Sequence, residues 1–240
     1  MDWLERTELL LGSEKLEDLS NKHVMVVGLG GVGAYAAELI ARAGVGNMTI
    51  VDGDIINESN RNRQLPALIS TLGKSKAEVM GQRLKDINSN LQVKVIDSFM
   101  DEEGFKTLLS NSFDYVVDAI DTLAPKVALI KEAFENQIPI VSSMGAGGKF
   151  DPSKIEICDI SKSKYCNLAR MVRKRLHKLG IRKGIPVVYS YEGVPREYII
   201  KTEGERNKKT TVGTISYMPP IFGCFIASKV IRDLVGDLEQ

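Results

Sequence analysis

The chain has 240 residues, 43% of them hydrophobic, which is enough to bury the core of one large domain. Its formal net charge of +1 excludes a molecule that attracts nucleic acid by overall charge, so such a role needs a local basic patch. Three cysteines without a CxxC pair exclude a disulfide framework and a four-thiolate zinc site. We therefore expect a reducing, cytoplasmic setting, no structural zinc and no export signal.

Apolar runs alternate with amphipathic stretches up to about residue 145. The predicted strands are HVMVVG, NMTIVD, QVKVID, DYVVDAI and IPIVSS, and a helical pattern follows each of the first four. Short β-branched runs alternating with helices are typical of a parallel sheet covered on both faces. The sequence predicts the α/β class, with a Rossmann-like, doubly wound and mainly parallel sheet.

The pattern changes after Gly145. Two segments there read as antiparallel strands separated by a basic helix, and a final apolar helix is predicted to begin near Ile221. The charge-free run at 210–228 reaches the length of a membrane span, but its hydroxyl residues and prolines favour a buried helix, so we expect no membrane insertion. We expect one domain over 1–240, with a helical arm at 1–20, the alternating half at 21–145 and an elaboration at 146–240.

A glycine-rich turn joins the first strand to the first helix of the alternating half. Gly28, Gly30 and Gly33 form a GxGxxG pattern, and Gly31 lies within it. Between a strand and a helix, such glycines permit a tight turn and a close approach of backbone to phosphate. The free N–H groups of the helix N-terminus then favour an anion. The turn indicates a nucleotide site in residues 21–145.

Charged residues near this turn indicate which nucleotide is bound. Asp52 ends the next strand, where a carboxylate can accept hydrogen bonds from ribose hydroxyls. A nicotinamide dinucleotide has no obvious use for Arg63 and Lys76, whereas a triphosphate needs cations and Mg²⁺ to neutralise its charge. Asp121 follows the fourth strand, at the sheet edge where ligands bind, and is a candidate Mg²⁺ ligand.

Five segments together carry a specific resemblance: GLGGVG, VDGD, SNRNRQ, GKSKAE and VVDAID. In this order and spacing they resemble the adenylating domain of ubiquitin-activating enzymes and of the bacterial activators of sulfur-carrier proteins. The resemblance implies ATP and Mg²⁺ as ligands, with Asp121 on the metal and with Arg63, Lys76, Asp121 and Arg6 as catalytic residues. The implied ATP-binding residues are Gly28, Gly30, Gly31, Gly33, Asp52, Asp54, Asn60, Arg63, Gln64, Lys76 and Asp121.

The arginine of the N-terminal arm acts in the partner subunit's site in the resembling proteins, and Arg6 is its counterpart here. The arm also has an apolar stripe without an evident local partner: Leu4, Leu9, Leu11 and Leu16. Both features predict a homodimer.

The cysteines bear on the branch of the superfamily. Sulfur-carrier activators commonly hold zinc in two CxxC pairs, which this chain lacks. Ubiquitin-type activators need a cysteine nucleophile, and Cys158 and Cys166 in the inserted region leave that route open, whereas Cys224 lies in the final apolar helix. Cysteines within apolar runs are more often small buried residues, so we do not expect any of the three to be catalytic.

A basic segment occupies residues 161–184 and contains no acidic residue. Leu168, Met171, Val172, Leu176 and Leu179 recur at helical spacing, which predicts a helix with one packed face and one cationic face. RNA phosphates are the expected partner of the cationic face, although a merely solvated surface is the alternative. The candidate tRNA-binding residues are Arg170, Arg173, Lys174, Arg175 and Lys178.

An adenylating domain without zinc and with a basic insertion resembles the tRNA threonylcarbamoyladenosine dehydratases, over nearly the whole chain. The segments that carry this match are GLGGVGAYAAELIARAGVG, DAIDTLAPKVALI and IPIVSSMGAGGKFDPSKIEICDISK. The resemblance implies ATP-dependent adenylation of a threonine carboxylate in tRNA, followed by ring closure and release of AMP. Two alternatives stay open: adenylation of the C-terminal glycine of a small carrier protein, and an NAD-binding regulator without catalysis. A sulfur-transfer or carrier partner also stays open, and DNA is not expected.

Overall fold

The computed structural model describes residues 2–201 and 210–236. A seven-stranded sheet lies at the centre, in the order β3-β2-β1-β4-β5-β7-β6. The strands of the molecule are β1 (His23–Val27), β2 (Asn47–Val51), β3 (Gln92–Ile96), β4 (Tyr115–Asp118), β5 (Ile140–Ser143), β6 (Ile155–Asp159), β7 (Pro186–Ser190), β8 (Ile199–Lys201) and β9 (Thr210–Val212). Neighbours from β3 to β7 pair in parallel, β6 pairs antiparallel with β7, and β8 with β9 forms a small antiparallel sheet. The predicted doubly wound, mainly parallel fold is confirmed.

Helices cover both faces of the sheet. They are α1 (Glu5–Leu11), α2 (Ser13–Asn21), α3 (Gly33–Arg42), α4 (Lys76–Ile87), α5 (Glu102–Leu108), α6 (Leu123–Glu135), α7 (Asn167–Lys178) and α8 (Met218–Val235). Alternate residues of β1 face two separate cores: Val24 and Val26 pack with α3, α4 and α8, while Met25 and Val27 pack with α5, α6 and α7. Strands buried on both faces explain the unbroken apolar runs of the sequence.

The last helix begins three residues earlier than expected. It starts at Met218 rather than near Ile221, with Pro219 and Pro220 in its first turn. Proline is tolerated there because the first N–H groups of a helix have no intrahelical partner. In the described part of the chain, no helix is long and apolar enough to cross a membrane.

The N-terminal arm packs partly on its own chain. Leu4 and Leu16 are buried beside Gly44, which follows α3, so the expectation that the arm lacks a local partner is wrong for them. Leu9 and Leu10 remain exposed, at 81% and 70%. The arm therefore lies at the end of α3 farthest from the glycine turn and retains an uncovered apolar surface.

Candidate nucleotide site and its rim

The glycine turn lies where β1, β4 and α3 meet. Gly28 has a φ of 89°, and a Cβ there would lie 2.8 Å from the carbonyl oxygen of Ala119. A Cβ on Gly33 would lie 1.7 Å from the oxygen of Gly28, so the first turn of α3 can pack against the strand only without a side chain. At Gly30 the nearest atom to a Cβ would be a Gln64 nitrogen at 3.8 Å. The N-terminal end of α3 therefore opens next to the Gln64 side chain.

Asp52 ties the glycine turn to the end of β2. Its carboxylate accepts hydrogen bonds from Leu29 N at 2.6 Å and from Asp54 N at 2.8 Å. Burial raises the pKa of the Asp52 carboxyl, although Lys76 and the two N–H donors oppose the rise. The carboxylate is thus held in place by backbone groups on both sides, as a hydrogen-bond acceptor for ribose requires.

Lys76 begins α4 and is almost fully buried. Its Nζ donates to Asp54 Oδ2 at 3.0 Å, and its N–H donates to the Asp54 carbonyl oxygen at 3.0 Å. Ser75 caps the helix by accepting from Glu78 N at 3.3 Å. The predicted residues Asp52, Asp54 and Lys76 therefore form one cluster beside the glycine turn.

The segment 57–64 carries the predicted residues Asn60, Arg63 and Gln64, and Gln64 lies beside the glycine turn. Asn60 is buried, and its carbonyl oxygen accepts from the N–H groups of Arg63 and Gln64, at 3.1 and 2.9 Å. Arg63 Nη1 donates to the Ser59 carbonyl oxygen and to Asn62 Oδ1, each at 2.8 Å. Within the described residues, Gln64 Oε1 is buried without a hydrogen-bond partner. An orphaned acceptor beside Gly30 fits a site that a polar ligand completes.

Asp121 and the segment before it are fixed by a buried ion pair that sequence reasoning missed. Lys126 Nζ lies 2.7 Å from Asp118 Oδ2 and donates to the Ile120 carbonyl oxygen at 2.8 Å. Asp118 also accepts from Ile120 N at 3.1 Å and from the Ser142 hydroxyl at 2.5 Å. Burial raises the pKa of the Asp118 carboxyl, and the contacts from Lys126, Ser142 and Ile120 oppose the rise. The sequence analysis selected Asp121 from the VVDAID segment. The structure shows that Asp118, the first aspartate of that segment, fixes the backbone before Asp121.

The elaboration after β5 forms one side of this edge. Asn62 Nδ2 donates to the Thr214 carbonyl oxygen at 3.0 Å, and Gly148 N donates to the Gly213 oxygen at 2.7 Å. A Cβ on Gly147 would lie 3.1 Å from Thr214 Oγ1. Residues near 147 and 214 therefore lie beside the segment 57–64. We call these residues the rim of the nucleotide cluster; they come from the second half of the chain.

A buried lysine lies behind this rim. Lys149 is 4% exposed, and its Nζ donates to the Glu192 carbonyl oxygen. Burial lowers the pKa of Lys149, against weaker opposing effects of Cys166 and Glu192. The Glu192 carboxylate instead accepts from Phe150 N and Asp151 N, each at 2.9 Å. The lysine holds the loop after β5 to the loop after β7.

Helix α7 carries the basic segment, and the structure divides its cations into two groups. Arg170, Lys174, Arg175 and Lys178 are exposed. Arg173 is half-buried, and its Nη1 donates to the carbonyl oxygens of Ile160 and Ser163 and to the Ser163 hydroxyl, at 3.1, 3.0 and 2.7 Å. These oxygens hold the Arg173 guanidinium to the turn before α7, whereas the other four cations face solvent without such an anchor among the described contacts.

The packed face of α7 also differs from the expected one. Ala169, Val172 and Leu176 are buried against the core beneath α6, whereas Met171 and Leu179 are exposed. The small Ala169 was missed because an alanine adds little to an apolar pattern.

Arg6 and the cysteines lie apart from the nucleotide cluster. Arg6 is exposed on α1, in the arm that packs near Gly44, at the opposite end of α3 from the glycine turn. Cys158 is half-buried on β6, Cys166 is buried at the start of α7 and Cys224 is exposed on α8. Within 2–201 and 210–236, no three His, Cys, Asp or Glu side chains are grouped as metal ligands.

The fold and cluster define a class. The chain belongs to the ThiF family, which matches residues 4–240. Within it, the chain is 41% identical to a tRNA threonylcarbamoyladenosine dehydratase of Bacillus subtilis, over 98% of this chain and 95% of the relative. It is 39% identical to the Escherichia coli dehydratase over 80% of this chain and 75% of that relative. The predicted family is confirmed.

Solved structures agree with the sequence comparison. The E. coli dehydratase in complex with ATP superposes with a TM-score of 0.88 at 34% identity, covering 97% of this chain and 93% of that one. The same protein has been solved with AMP, with a TM-score of 0.86 at 34% identity, covering 96% of this chain and 93% of that one.

A second group of sequence relatives shares a smaller part of the chain. A molybdopterin-synthase adenylyltransferase of E. coli is 33% identical over 52% of this chain and 50% of that relative.

Proposed function

We propose that this chain is an ATP-dependent enzyme that cyclises threonylcarbamoyladenosine in tRNA with net loss of water. The observation that carries the proposal is the 41% identity over nearly the whole chain to a protein named for that dehydration. The ATP complex of a 34% identical relative supports ATP as the activating nucleotide. A tRNA substrate is consistent with a cytoplasmic enzyme.

In the first step, an oxygen of the threonine carboxylate attacks the α-phosphorus of ATP. A bond forms between that oxygen and phosphorus, and the bond to the β-phosphate oxygen breaks, which releases pyrophosphate. We assign the phosphates to the N–H groups of the glycine turn, to Arg63 and to Lys76, because these positive groups share one edge. Asp52 holds the ribose, and Asn60 and Gln64 complete the polar wall.

In the second step, the carbamoyl group of the same nucleoside attacks the acyl carbon and loses a proton. The acyl bond to AMP breaks, and AMP leaves with one of the former carboxylate oxygens. The nucleoside has then lost the elements of water. Because the nucleophile is tethered to the acyl carbon, ring closure needs no enzyme thiol. Replacing Cys158, Cys166 and Cys224 together is expected to leave cyclisation within about tenfold of wild type.

We assign Mg²⁺ to Asp121, at the end of β4. Mg²⁺ is usually bound by one or two carboxylates together with substrate phosphates, and Asp121 is an exposed carboxylate of this kind after β4. The ion, when bound, neutralises charge on the phosphate oxygens. The protein's own contribution is to fix the backbone before Asp121, through the Asp118–Lys126 pair and its contact with Ile120.

We assign the exposed cations of α7 to RNA phosphates and leave Arg173 out of that set. The variant Lys174→Glu/Arg175→Glu is expected to weaken tRNA binding and to flatten its salt dependence, by roughly 0.7 to 0.9 of a log-log unit for each phosphate that the variant no longer neutralises. ATP affinity should not change. Lys85→Glu, on the exposed face of α4, is the matched control. An unchanged salt slope in the double variant would leave α7 a solvated surface.

We also propose a homodimer in which Arg6 acts in the partner's site. Arg6 lies with the arm at the far end of α3, on a helix whose Leu9 and Leu10 are exposed. Ile55, Leu68 and Ile69 form further exposed apolar surface on the segment that carries Arg63. A second copy would cover both surfaces and bring an arginine to the phosphates.

A second candidate function is adenylation of a small carrier protein, which the likeness to the molybdopterin-synthase adenylyltransferase favours. That likeness covers 52% of this chain, whereas the likeness to the Bacillus subtilis dehydratase covers 98%. Pyrophosphate exchange distinguishes them: we expect exchange that depends on tRNA containing threonylcarbamoyladenosine and none that depends on a carrier with a C-terminal glycine.

The function is tested by mass spectrometry of tRNA nucleosides from cells with and without the protein. We expect the cyclic nucleoside only in cells that contain it, and the linear threonylcarbamoyladenosine in cells that lack it. The Lys76→Ala variant, expressed in the deficient cells, should behave like the deletion. An identical nucleoside profile in all three strains would contradict the proposal.

A further inference from the structure

Tyr165 adopts a backbone conformation that its side chain disfavours and gains no burial in return. Its φ is 55°, in the left-handed region where residues other than Gly, Asn and Asp are uncommon. The residue is 75% exposed, and among the described residues its ring and hydroxyl make no stacking or hydrogen-bonding contact. Neither packing nor conformational preference accounts for a tyrosine here. Strain at an exposed residue without a packing role is typical of a functional surface.

The turn that carries Tyr165 is fixed on both sides. Ser163 is buried, and its carbonyl oxygen and hydroxyl accept from Arg173 Nη1 at 3.0 and 2.7 Å. Cys166 is also buried, and its Sγ accepts from an N–H in the first turn of α7 at 3.5 Å. Lys164 and Tyr165 lie between these anchors and are both exposed. The ring is therefore presented to solvent from a turn whose conformation is already set, which lowers the entropy lost on binding.

The turn lies at the same edge of the sheet as the nucleotide cluster. A Cβ on Gly145, two residues after the end of β5, would lie 4.0 Å from Cys166 Sγ, so α7 begins near the carboxyl end of that parallel strand. Lys164 and Arg170 are exposed on either side of Tyr165 in the chain. An exposed aromatic ring with cations nearby in the chain, at the sheet edge that carries the nucleotide cluster, has the composition of a surface that binds single-stranded nucleic acid.

We propose that the Tyr165 ring stacks on an unpaired nucleobase in the RNA loop that carries the reacting nucleoside. Lys164 and Arg170 then contact the neighbouring phosphates. This rests on the proposed function and adds a means of selecting single-stranded loops, because unstacked loop bases can be splayed onto an aromatic ring and paired bases cannot. Stacking tolerates any base, so Tyr165 selects loop structure rather than base identity.

The test compares two RNA probes: a hairpin with a single-stranded loop, and a fully paired duplex with the same number of phosphates. Tyr165→Ala is expected to weaken hairpin binding about tenfold and to leave duplex binding within about twofold, because only the hairpin offers a base to stack. Tyr165→Phe should keep hairpin affinity within about twofold, since the ring face and not the hydroxyl makes the contact.

Two further variants separate stacking from folding. Tyr165→Asn, whose side chain tolerates this φ, should lose hairpin affinity as Tyr165→Ala does, with no decrease in the unfolding temperature. Phe134→Ala removes another exposed ring, near Gly184 at the far end of the sheet, and should change neither affinity. Unchanged hairpin binding by Tyr165→Ala, or an equal loss for hairpin and duplex, would overturn the stacking proposal alone. A wild-type protein that binds neither RNA would overturn the proposed function with it.

Discussion

Lys126 Nζ lies 2.7 Å from Asp118 Oδ2, and both side chains are 0% exposed. The pair joins the last residue of β4 to the first turn of α6 and, through Ile120, fixes the backbone just before Asp121. A fully buried charge pair contributes to stability only when its remaining hydrogen bonds are made, and here Ser142 and Ile120 make them. We expect that the pair positions the backbone before Asp121 and, being fully buried, contacts no substrate itself.

Breaking this pair on one side should destabilise the protein strongly. Lys126→Met leaves a buried aspartate without its cation, and we expect a loss of about 3–5 kcal/mol in the free energy of unfolding, measured by urea denaturation. The double variant Asp118→Asn/Lys126→Met should lose less than the sum of the two single variants. Lys131→Met, on the solvent side of the same helix, should lose much less. Additive losses in the double variant would show that the two charges are not coupled.

Arg63 and Lys76 should be required for adenylation but not for folding. Arg63→Ala and Lys76→Ala are each expected to lower the rate of pyrophosphate exchange by roughly 10²-fold or more, as when one preorganised contact to the transition state is removed. Lys74→Ala removes an exposed lysine two residues from Lys76 and is the matched control. Near wild-type exchange in a folded Arg63→Ala or Lys76→Ala variant would remove that residue from the site.

Mixing two inactive variants should restore activity if Arg6 acts in trans. Arg6→Ala lacks the arm's arginine and Lys76→Ala lacks a phosphate ligand, so each homodimer has no complete site. A mixed dimer has one complete site, formed by the Lys76 of one protomer and the Arg6 of the other. We expect activity to rise on mixing after dissociation and reassociation, and a mixture that stays as inactive as its parents would count against the dimer.

ATP affinity should fall on acidification because of Asp52. Burial raises the pKa of its carboxyl above the ordinary value of 3.8, and only the ionised form accepts all of its hydrogen bonds. As pH falls towards that raised pKa, the carboxylate is protonated and the ribose loses an acceptor. The ratio of wild-type to Asp52→Asn affinity for ATP should therefore decrease on acidification. Protonation of ATP affects both proteins alike, so it does not change this ratio. A constant ratio across the folded pH range would contradict this assignment.

The sequence allowed the fold, and the proximity of Asp52 and Lys76 to the glycine turn, to be predicted because both depend on local patterns. Strands buried on both faces produce continuous apolar runs, and the glycine turn must follow such a strand directly. Asp52 and Lys76 could be placed near the turn because both follow from where β2 ends and α4 begins. Their joint contact with Asp54 was not foreseen, because it depends on the path of the intervening 57–64 segment.

The residues that were missed owe their roles to tertiary contacts. Lys126 occupies a helical pattern where a lysine usually faces water, and only the packing of α6 on β4 buries it beside Asp118. Arg173 looked like its basic neighbours because charge alone does not reveal which guanidinium meets carbonyl oxygens. Leu4 and Leu16 looked uncovered because the surface at Gly44 that receives them is distant in sequence. The hydrophobic pattern of the sequence does not indicate which side chains are buried by contacts with residues that are distant in sequence.

This chain is proposed to remove water from threonylcarbamoyladenosine in tRNA in a reaction that converts ATP to AMP and pyrophosphate. The most direct measurement incubates the purified protein with ATP, Mg²⁺ and tRNA containing that nucleoside, and follows the nucleosides by mass spectrometry and the nucleotides by chromatography. We expect a nucleoside lighter by one water, formed with equal amounts of AMP and pyrophosphate, and formed roughly 10²-fold more slowly or not at all with Lys76→Ala. An unchanged nucleoside mass with the folded wild-type protein, or a lighter nucleoside formed without ATP, would contradict the account.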